Sequence, residues 1–137
     1  MNETKLTKPF ASYAHWRRCG DLIYIAGQGC RDPETNLYAG VSYNPDGKTI
    51  CTYDISAQTR GVFKNIERAL ADCKLSKKNL VDITVFLTTM DDFEKMNAIW
   101  NEFFDNNDQP APTRTTIAVK QLPGDNFVEM KAIAYDS

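Results

Sequence analysis

Two runs of β-forming residues, 112–119 and 127–134, end this chain of 137 residues and restrict it to folds that contain a sheet. Between them lies Pro-Gly-Asp-Asn at residues 123–126, and these residue types favour turns. We expect the two runs to be the last strands of the sheet and to pair with each other as a hairpin.

Two segments before these strands have the periodicity of amphipathic helices. In residues 54–73 apolar side chains recur every three or four positions, and Thr52 or Asp54 can cap the start. A second helix is predicted to begin at Asp91, where Asp91 and Glu94 form an Asp-x-x-Glu capping box. One face of that helix is aromatic, and this spacing is typical of a helix that packs on a core.

Further strands are expected from short apolar runs. Residues 22–26 predict a buried strand that ends at a glycine-rich turn, and residues 80–89 predict a strand with alternating faces. In the second run, Val81 is expected on the same face as Ile83. Residues 31–52 are rich in turn-forming types and are expected to hold one or two short strands around a surface loop.

The order of these elements predicts an α+β fold, in which two helices pack on one face of a mixed β-sheet. The length corresponds to a single domain over residues 1–137, with residues 1–9 as a loose N-terminal arm. The last strand carries apolar side chains on both faces, so the face of the sheet away from the helices also needs cover. Oligomerisation would provide it.

The overall charge and cysteine pattern exclude several classes of function. A net charge of −2 does not favour nucleic acid or an anionic membrane as the main partner. No apolar run is long enough for a signal peptide or a membrane span, so we expect a cytoplasmic protein. Four widely spaced cysteines and one histidine predict neither a zinc site nor a redox pair, and no metal or organic cofactor is expected. Cys30, beside the glycine turn, is the thiol to examine for reactivity.

Two charged residues stand out in the final strands. Arg114 opens the first run, and a guanidinium suits bidentate binding of a carboxylate. Glu129 lies inside the second run, where a carboxylate can hold a water or transfer a proton. The pair suggests a site that binds a carboxylic acid and performs proton chemistry beside it. The alternative for both residues is ordinary solvated surface charge.

Several short motifs occur in a fixed order along the chain. They are Ser12-Tyr13, Tyr24-Ile25-Ala26-Gly27-Gln28, Asp92-Phe93 with Asn97, Pro112-Thr113-Arg114, Leu122-Pro123 and Glu129-Met130-Lys131-Ala132-Ile133-Ala134. In this order and spacing the chain resembles the reactive-intermediate deaminase family, also called Rid or YjgF-like, over nearly its whole length. Three further stretches, residues 13–18, 29–33 and 54–60, resemble the 2-aminomuconate deaminase branch of that family.

The resemblance implies a chorismate-mutase-like fold and a homotrimer with active sites in the clefts between subunits. It implies that Arg114 binds the substrate carboxylate and that Glu129 holds the attacking water. Tyr13 matches a tyrosine at the border of the cleft, and its hydroxyl would orient substrate or water. The family commonly has alanine before the arginine, whereas this chain has Thr113.

The remaining site residues are also implied by the resemblance. The backbone at Gly27 and Gln28 would approach the ligand, as glycine allows. Asn97 matches a polar residue of the cleft rim. Thr116 stands where many relatives carry a cysteine, so a thiol switch is absent there, while its hydroxyl could bind a carboxylate.

A basic cluster near the N-terminus bears on the choice of substrate. His15, Arg17 and Arg18 are adjacent in sequence, and Arg31 lies in the loop after the glycine turn. Positive charge near the cleft would suit a dicarboxylate such as 2-aminomuconate, whose second carboxylate needs a partner. Solvated edge charges are the alternative for the arginines, and a role as general acid is the alternative for His15.

These features predict a cofactor-free enamine or imine deaminase that converts 2-aminomuconate to the 2-oxo acid and ammonia. The first alternative is a general deaminase for small 2-imino acids such as 2-iminopropanoate. The second is a non-catalytic trimer that binds small acids or acts as a chaperone. RNA cleavage ranks last, because no basic and aromatic surface is arranged for it, and a chorismate-mutase reaction would rest on fold alone.

Overall fold

The computed structural model describes residues 5–9, 11–105 and 110–137. The part of the N-terminal arm at residues 1–4 and the loop at 106–109 lie outside the described residues. The helices and strands are β1 (Trp16–Cys19), β2 (Leu22–Gln28), β3 (Val41–Tyr43), β4 (Ile50–Tyr53), α1 (Ile55–Asp72), β5 (Leu80–Leu87), α2 (Phe93–Phe103), β6 (Thr113–Ala118) and β7 (Val128–Tyr135).

The main sheet has five strands in the order β1-β2-β7-β5-β6, and β3 and β4 form a separate hairpin. β6 runs parallel to β5, whereas the other neighbours are antiparallel, so the sheet is mixed as predicted. The predicted hairpin of β6 and β7 is wrong, because β7 lies between β2 and β5. Helix α2 returns the chain so that β6 pairs with β5 in parallel at the sheet edge, and residues 119–127 then carry it across β5 to β7.

Both helices pack on one face of the sheet and form the core with it. The α1 stripe points inward through Val62, Phe63 and Ile66, and α2 contributes its aromatic face through Trp100. The fold class and the core role of the aromatic stripe are therefore confirmed. Among the described residues, no helix has the length and hydrophobicity that a membrane crossing requires.

The two helices begin in different ways. The side chain of Asp54 caps α1 by accepting hydrogen bonds from the backbone N–H groups of Ser56 and Ala57 at 2.9 and 3.2 Å. The capping box predicted at Asp91 is wrong, because a 3-10 turn over Met90–Asp92 precedes α2. Thr89 caps that turn, and the first turn of α2 continues directly from it.

The short strands and the start of β5 agree only in part with what the sequence predicts. The short strands expected in residues 31–52 are present as β3 and β4, while β1 was not anticipated. The register of β5 shifts between Leu80 and Asp82, so Leu80 is buried and Val81 is 41% exposed. The expected inward position of Val81 is therefore wrong, because the irregularity changes the alternation at that end.

The face of the sheet away from the helices is exposed in the single chain. Tyr24, Ile117 and Tyr135 are 42%, 40% and 46% exposed. On β7 the opposite face is fully buried through residues such as Val128 and Met130. The open face has the apolar character expected of a covered surface, and the trimer remains a prediction.

Candidate active site

A cavity of about 200 Å³ lies where β2 and β7 meet the described part of the N-terminal arm. Five residues predicted for the site line it together: Tyr13, His15, Gly27, Gln28 and Glu129. Arg31 lies on the same wall. The cavity is smaller than the pockets that hold drug-sized ligands, and its size suits a small metabolite.

Glu129 is the acidic group of this cavity. It pairs with Phe86 across the sheet and points away from the core, because its neighbours Val128 and Met130 are fully buried on the other face. Its side chain is half-buried, and no residue within the described ranges donates a hydrogen bond to it. Burial raises the pKa of the Glu129 carboxyl above its ordinary value.

Gly27 lies directly against this carboxylate. A Cβ atom built on Gly27 would stand 2.6 Å from Oε2 of Glu129 and 3.0 Å from its carboxyl carbon. The backbone of β2 therefore approaches the acid at a distance that no side chain would permit. The expected approach of this backbone to a ligand stays a prediction, and its neighbour in the structure is Glu129.

Gln28 and His15 form a polar pair on the cavity wall. Gln28 is 3% exposed, and its Nε2 donates to the carbonyl of Ala26 at 3.0 Å and to His15 Nδ1 at 3.3 Å. His15 Nε2 is bonded to the carbonyl of Thr7. Since a carbonyl only accepts, His15 donates from Nε2 to Thr7, and its Nδ1 is left to accept from Gln28. His15 thereby holds the arm against the cavity.

Two buried asparagines that the sequence analysis missed shape the loop after β2. Asn126 accepts from the backbone N–H of Cys30 at 2.8 Å and donates to the carbonyl of Pro123 at 2.9 Å. A Cβ atom built on Gly29 would stand 2.5 Å from the side-chain amide nitrogen of Asn126, so the lack of a side chain at Gly29 leaves room for Asn126. Asn65 donates from α1 to the carbonyls of Gly29 and Arg31. Asn65 on the apolar side of α1 was the available signal.

Tyr13 and the arm form the outer part of the cavity. Tyr13 is 50% exposed at the rim, where a hydroxyl can reach a ligand. Thr7, Lys8 and Pro9 line the same cavity, and Arg31 Nη2 donates to the carbonyl of Lys8 at 2.6 Å. The described part of the arm, residues 5–9, is thus bonded to the site.

Arg114 does not line this cavity; it lies on β6, on the side of the sheet that the helices cover. Its Nη1 donates to Asn97 Oδ1 at 2.8 Å, and its guanidinium lies 4.8 Å from the ring centre of Trp100 and 5.5 Å from that of Phe93. Burial lowers the pKa of Arg114, which remains a cation at neutral pH. Among the described residues, the Oγ1 of Thr116 is buried without a hydrogen-bond partner. Asn97, Arg114 and Thr116 thus form a second group on the helix side of the sheet.

The two arginines of β1 do not line the cavity. Arg18 forms an ion pair with Asp136 at 2.6 Å and donates to the carbonyl of Gly20. Arg17 is exposed and pairs with Tyr24 on the open face of the sheet. Of the basic cluster, only His15 and Arg31 reach the Glu129 cavity.

The structure also locates the Cys30 thiol and the side chains that could bind a metal ion. Cys30 is 2% exposed, and burial raises its pKa to about 11, so the thiol is a core residue. Within the described part of the chain, no group of three or more His, Cys, Asp or Glu side chains could hold a metal ion.

Known proteins resemble this chain over its whole length. The profile of the family described as Endoribonuclease L-PSP matches residues 3–136. A RutC family protein of Pyrococcus abyssi is 35% identical over 131 residues, which cover 96% of this chain and 91% of that protein. A RutC family protein of Buchnera aphidicola is 37% identical over 135 residues, with 98% and 95% coverage.

Two solved structures have the same fold. E. coli TdcF with bound serine matches with a TM-score of 0.83 at 25% identity, covering 99% of this chain and 97% of that one. The YjgF gene product of E. coli matches with a TM-score of 0.82 at 25% identity, covering 98% and 95%. By its profile match and its motifs, the protein belongs to the Endoribonuclease L-PSP family, the YjgF/RutC or Rid family.

Proposed function

We propose that the protein is a cofactor-free deaminase that hydrolyses an enamine or imine acid, with 2-aminomuconate as its substrate. The observation that carries the proposal is Glu129, a half-buried carboxylate on a cavity wall, against Gly27 and with no hydrogen bond from a described residue. Burial raises the pKa of the Glu129 carboxyl above its ordinary value. Such a group is available to hold a water and to exchange protons with a ligand.

The reaction needs proton transfer and one water. A proton is added to carbon, which converts the enamine to the iminium ion, and water then attacks the C=N carbon and gives up one proton. The remaining hydroxyl proton passes to nitrogen, the C–N bond breaks, ammonia leaves, and the carbon keeps the oxygen of water as the 2-oxo group. Glu129 would deliver the first proton and accept one from the water. A positioned acid–base group of this kind is worth roughly 10²–10⁴-fold in rate.

Arg114 would bind the carboxylate next to the reacting carbon. Its guanidinium is oriented by Asn97 and by two aromatic rings. On the same face of β6, the buried Oγ1 of Thr116 has no hydrogen-bond partner within the described part of the chain. Within one chain Arg114 and Glu129 face opposite sides of the sheet, so they can share a substrate only if they come from different subunits. This split supports a homotrimer with active sites between subunits, and the exposed apolar sheet face supports it too.

Two sets of observations bear on the choice of substrate, and they favour different compounds. The motifs resembling the aminomuconate branch and the arginine in the cavity favour a dicarboxylate. The serine bound to TdcF favours a small monocarboxylic acid and so the alternative, a general 2-iminopropanoate deaminase. A non-catalytic trimer that binds small acids is also compatible with a serine-bound relative. A cytoplasmic location belongs to the proposal, although the yeast relative Mmf1 is mitochondrial.

The test is ammonia release from freshly generated 2-aminomuconate and, in parallel, from 2-iminopropanoate, with wild type and Arg114→Ala. We expect faster turnover of 2-aminomuconate and a loss of one to two orders of magnitude in the variant, since charge-assisted bonds contribute roughly 1.5–3 kcal/mol. Greater activity on the small imine would identify the general deaminase. If the folded protein released ammonia from neither substrate, the non-catalytic binding of small acids would become the favoured function.

A further inference from the structure

We propose that Gln58 of α1 is a positioning residue for Glu129 and acts through loop 125–127, which leads into β7. The inference rests on the proposed function, in which Glu129 is the acid–base group. Gln58 does not line the Glu129 cavity, and its side chain is fully buried on the inner side of α1. It would act by fixing the backbone from which Glu129 projects.

The side-chain amide of Gln58 is bonded to this loop by both of its polar atoms. Oε1 accepts from the backbone N–H of Phe127 at 2.7 Å, and Nε2 donates to the carbonyl of Asp125 at 2.9 Å. The carbonyl of Phe127 in turn accepts from the backbone N–H of Thr88, directly after β5, at 3.3 Å. Because Phe127 lies two residues before Glu129, the start of β7 is held from both the helix and the sheet.

Loop 125–127 is also tied to the loop after β2, which lines the same cavity. Asn126, 9% exposed, accepts from the backbone N–H of Cys30 at 2.8 Å. Asn65 donates from α1 to the two carbonyls on either side of Cys30, at 2.8 and 2.9 Å. Asn65 lies seven residues after Gln58, about two turns along the same side of the helix. Two buried amides of α1 thus hold two loops of the cavity, and Asn126 joins these loops to each other.

The Glu129 carboxylate has little room for displacement. A Cβ atom built on Gly27 would stand 2.6 Å from its Oε2, so the backbone of β2 lies directly against the acid. On the other face of β7, Val128 and Met130 are fully buried in the core. A shift of loop 125–127 would therefore move Glu129 relative to both β2 and a bound ligand. A misplacement of about 1 Å can cost roughly a hundredfold in rate.

Thr59 provides a matched control for the loss of a buried polar group. It is the next residue of α1, it is fully buried, and its hydroxyl donates to the carbonyl of Ile55 at 2.7 Å inside the helix. Gln58 differs from it in bonding to the loop before Glu129. Thr59→Val should therefore lower stability without changing the site, whereas Gln58→Met should change both.

The first test measures ammonia release from 2-aminomuconate by the full-length protein and its variants over a range of pH. Gln58→Met keeps the length of the side chain and loses both hydrogen bonds. We expect its kcat to fall roughly tenfold to a hundredfold, with a KM close to wild type because Arg114 would still bind the substrate carboxylate. In the Glu129→Gln background, Gln58→Met should lower the residual rate no further. Thr59→Val should keep the kcat and the pH profile of wild type.

Two results of this test would overturn the proposal. If Gln58→Met has the kcat of wild type, Gln58 contributes to stability only. If Gln58→Met lowers the rate by the same factor in the wild-type and Glu129→Gln backgrounds, Gln58 does not act through Glu129.

A conservative variant covers the case in which Gln58→Met does not fold. Gln58→Glu has the same shape, burial favours its neutral form, and a protonated carboxyl both donates and accepts. Its rate relative to wild type should therefore fall as the new carboxyl ionises, because the ionised form cannot donate to the carbonyl of Asp125. A ratio of the two rates that does not change while this carboxyl titrates would contradict the positioning role.

A second readout does not depend on turnover. The pKa of Glu129, followed by its carboxyl carbon signal in nuclear magnetic resonance titrations, should fall toward its ordinary value in Gln58→Met, because a loosened loop admits water. It should stay unchanged in Thr59→Val. If wild type releases no ammonia but the pKa of Glu129 shifts in this way, the proposed function fails and the positioning role stands. An active wild type whose Glu129 pKa and kcat are both unaffected by Gln58→Met would reject the positioning role alone.

Discussion

Arg114 and Glu129 face opposite sides of the same sheet. Arg114 pairs with Ile83, whose side chain is fully buried under the helices, whereas Glu129 pairs with Phe86, three residues further along β5. Strand spacing and residue rise place their Cα atoms roughly 14 Å apart. One chain therefore presents a carboxylate-binding group and an acid–base group to two different surfaces.

This arrangement predicts complementation between inactive variants. Arg114→Ala and Glu129→Gln should each be nearly inactive alone, yet subunits mixed after denaturation and refolding should regain activity. In a randomly mixed trimer about a quarter of the sites would combine an intact arginine with an intact glutamate from the neighbouring chain. Ammonia release before and after mixing measures this. No recovery in trimers that have exchanged subunits would mean that both residues act from one chain.

Local chemistry explains which elements were predictable from the sequence. The apolar stripe of α1 and the alternating burial of residues in β7 each depend on the residues of one element only. Such a pattern therefore identifies the type of the element and its buried face. The same holds for Asp54, whose capping depends only on the next three residues. The approach of Gly27 to Glu129 joins two strands that are far apart in sequence. Only the family resemblance assigned both residues to one site.

Two pairings between distant parts of the chain could not be predicted from local chemistry. The hairpin of β6 and β7 was inferred from closeness in sequence, but α2 makes β6 a parallel partner of β5 and leaves β7 for the centre. Arg18 was assigned to the cleft for the same reason, whereas Asp136 at the far end of the chain binds it. Pairings of this kind depend on the whole topology, and no local pattern encodes them.

Glu129 should lower the stability of the folded protein at neutral pH. Burial raises its pKa in the folded state, so stability linked to its protonated form is complete below the unfolded pKa and is lost as the pH rises through the folded pKa. Glu129→Gln should therefore increase the Tm at pH 8 and match wild type near pH 4. Glu67→Gln, on the exposed side of α1, is the control. A lower Tm for Glu129→Gln at pH 8 would show that a cation from another chain compensates Glu129.

Cys30 should be the slowest thiol to react with iodoacetamide. It is 2% exposed, and burial raises its pKa to about 11, so about one thiol in a thousand would be ionised at pH 8. Cys19 and Cys51 are exposed and provide internal controls. Mass spectrometry of timed samples should find these two modified first. Modification of Cys30 at their rate would contradict its place in the core.

Capping by Asp54 should contribute measurably to stability. Asp54→Ala removes the acceptor for two backbone N–H groups at the start of α1 and should cost about 1 kcal/mol of unfolding free energy. Thr52 was the other candidate cap, and it lies exposed in β4. Thr52→Ala should therefore change stability by less than about half of that amount, as is usual for exposed positions. Urea unfolding of both variants separates the two assignments.

Gly27 should affect catalysis through Glu129 alone. The methyl group of Gly27→Ala would stand 2.6 Å from the Glu129 carboxylate, which can move aside because it ends a flexible side chain. We expect a folded protein with a Tm close to wild type and a rate lowered at least tenfold, since small displacements of a reacting group are costly.

The double variant Gly27→Ala/Glu129→Gln identifies the cause of that loss. If the glycine acts only by leaving room for the carboxylate, adding Gly27→Ala to Glu129→Gln should lower the residual rate no further, because the acid–base function is already gone. If instead the two losses multiply, Gly27 has a separate role in contacting the substrate. The kcat and KM of the four proteins distinguish these cases, because a lost backbone contact would raise KM in either background.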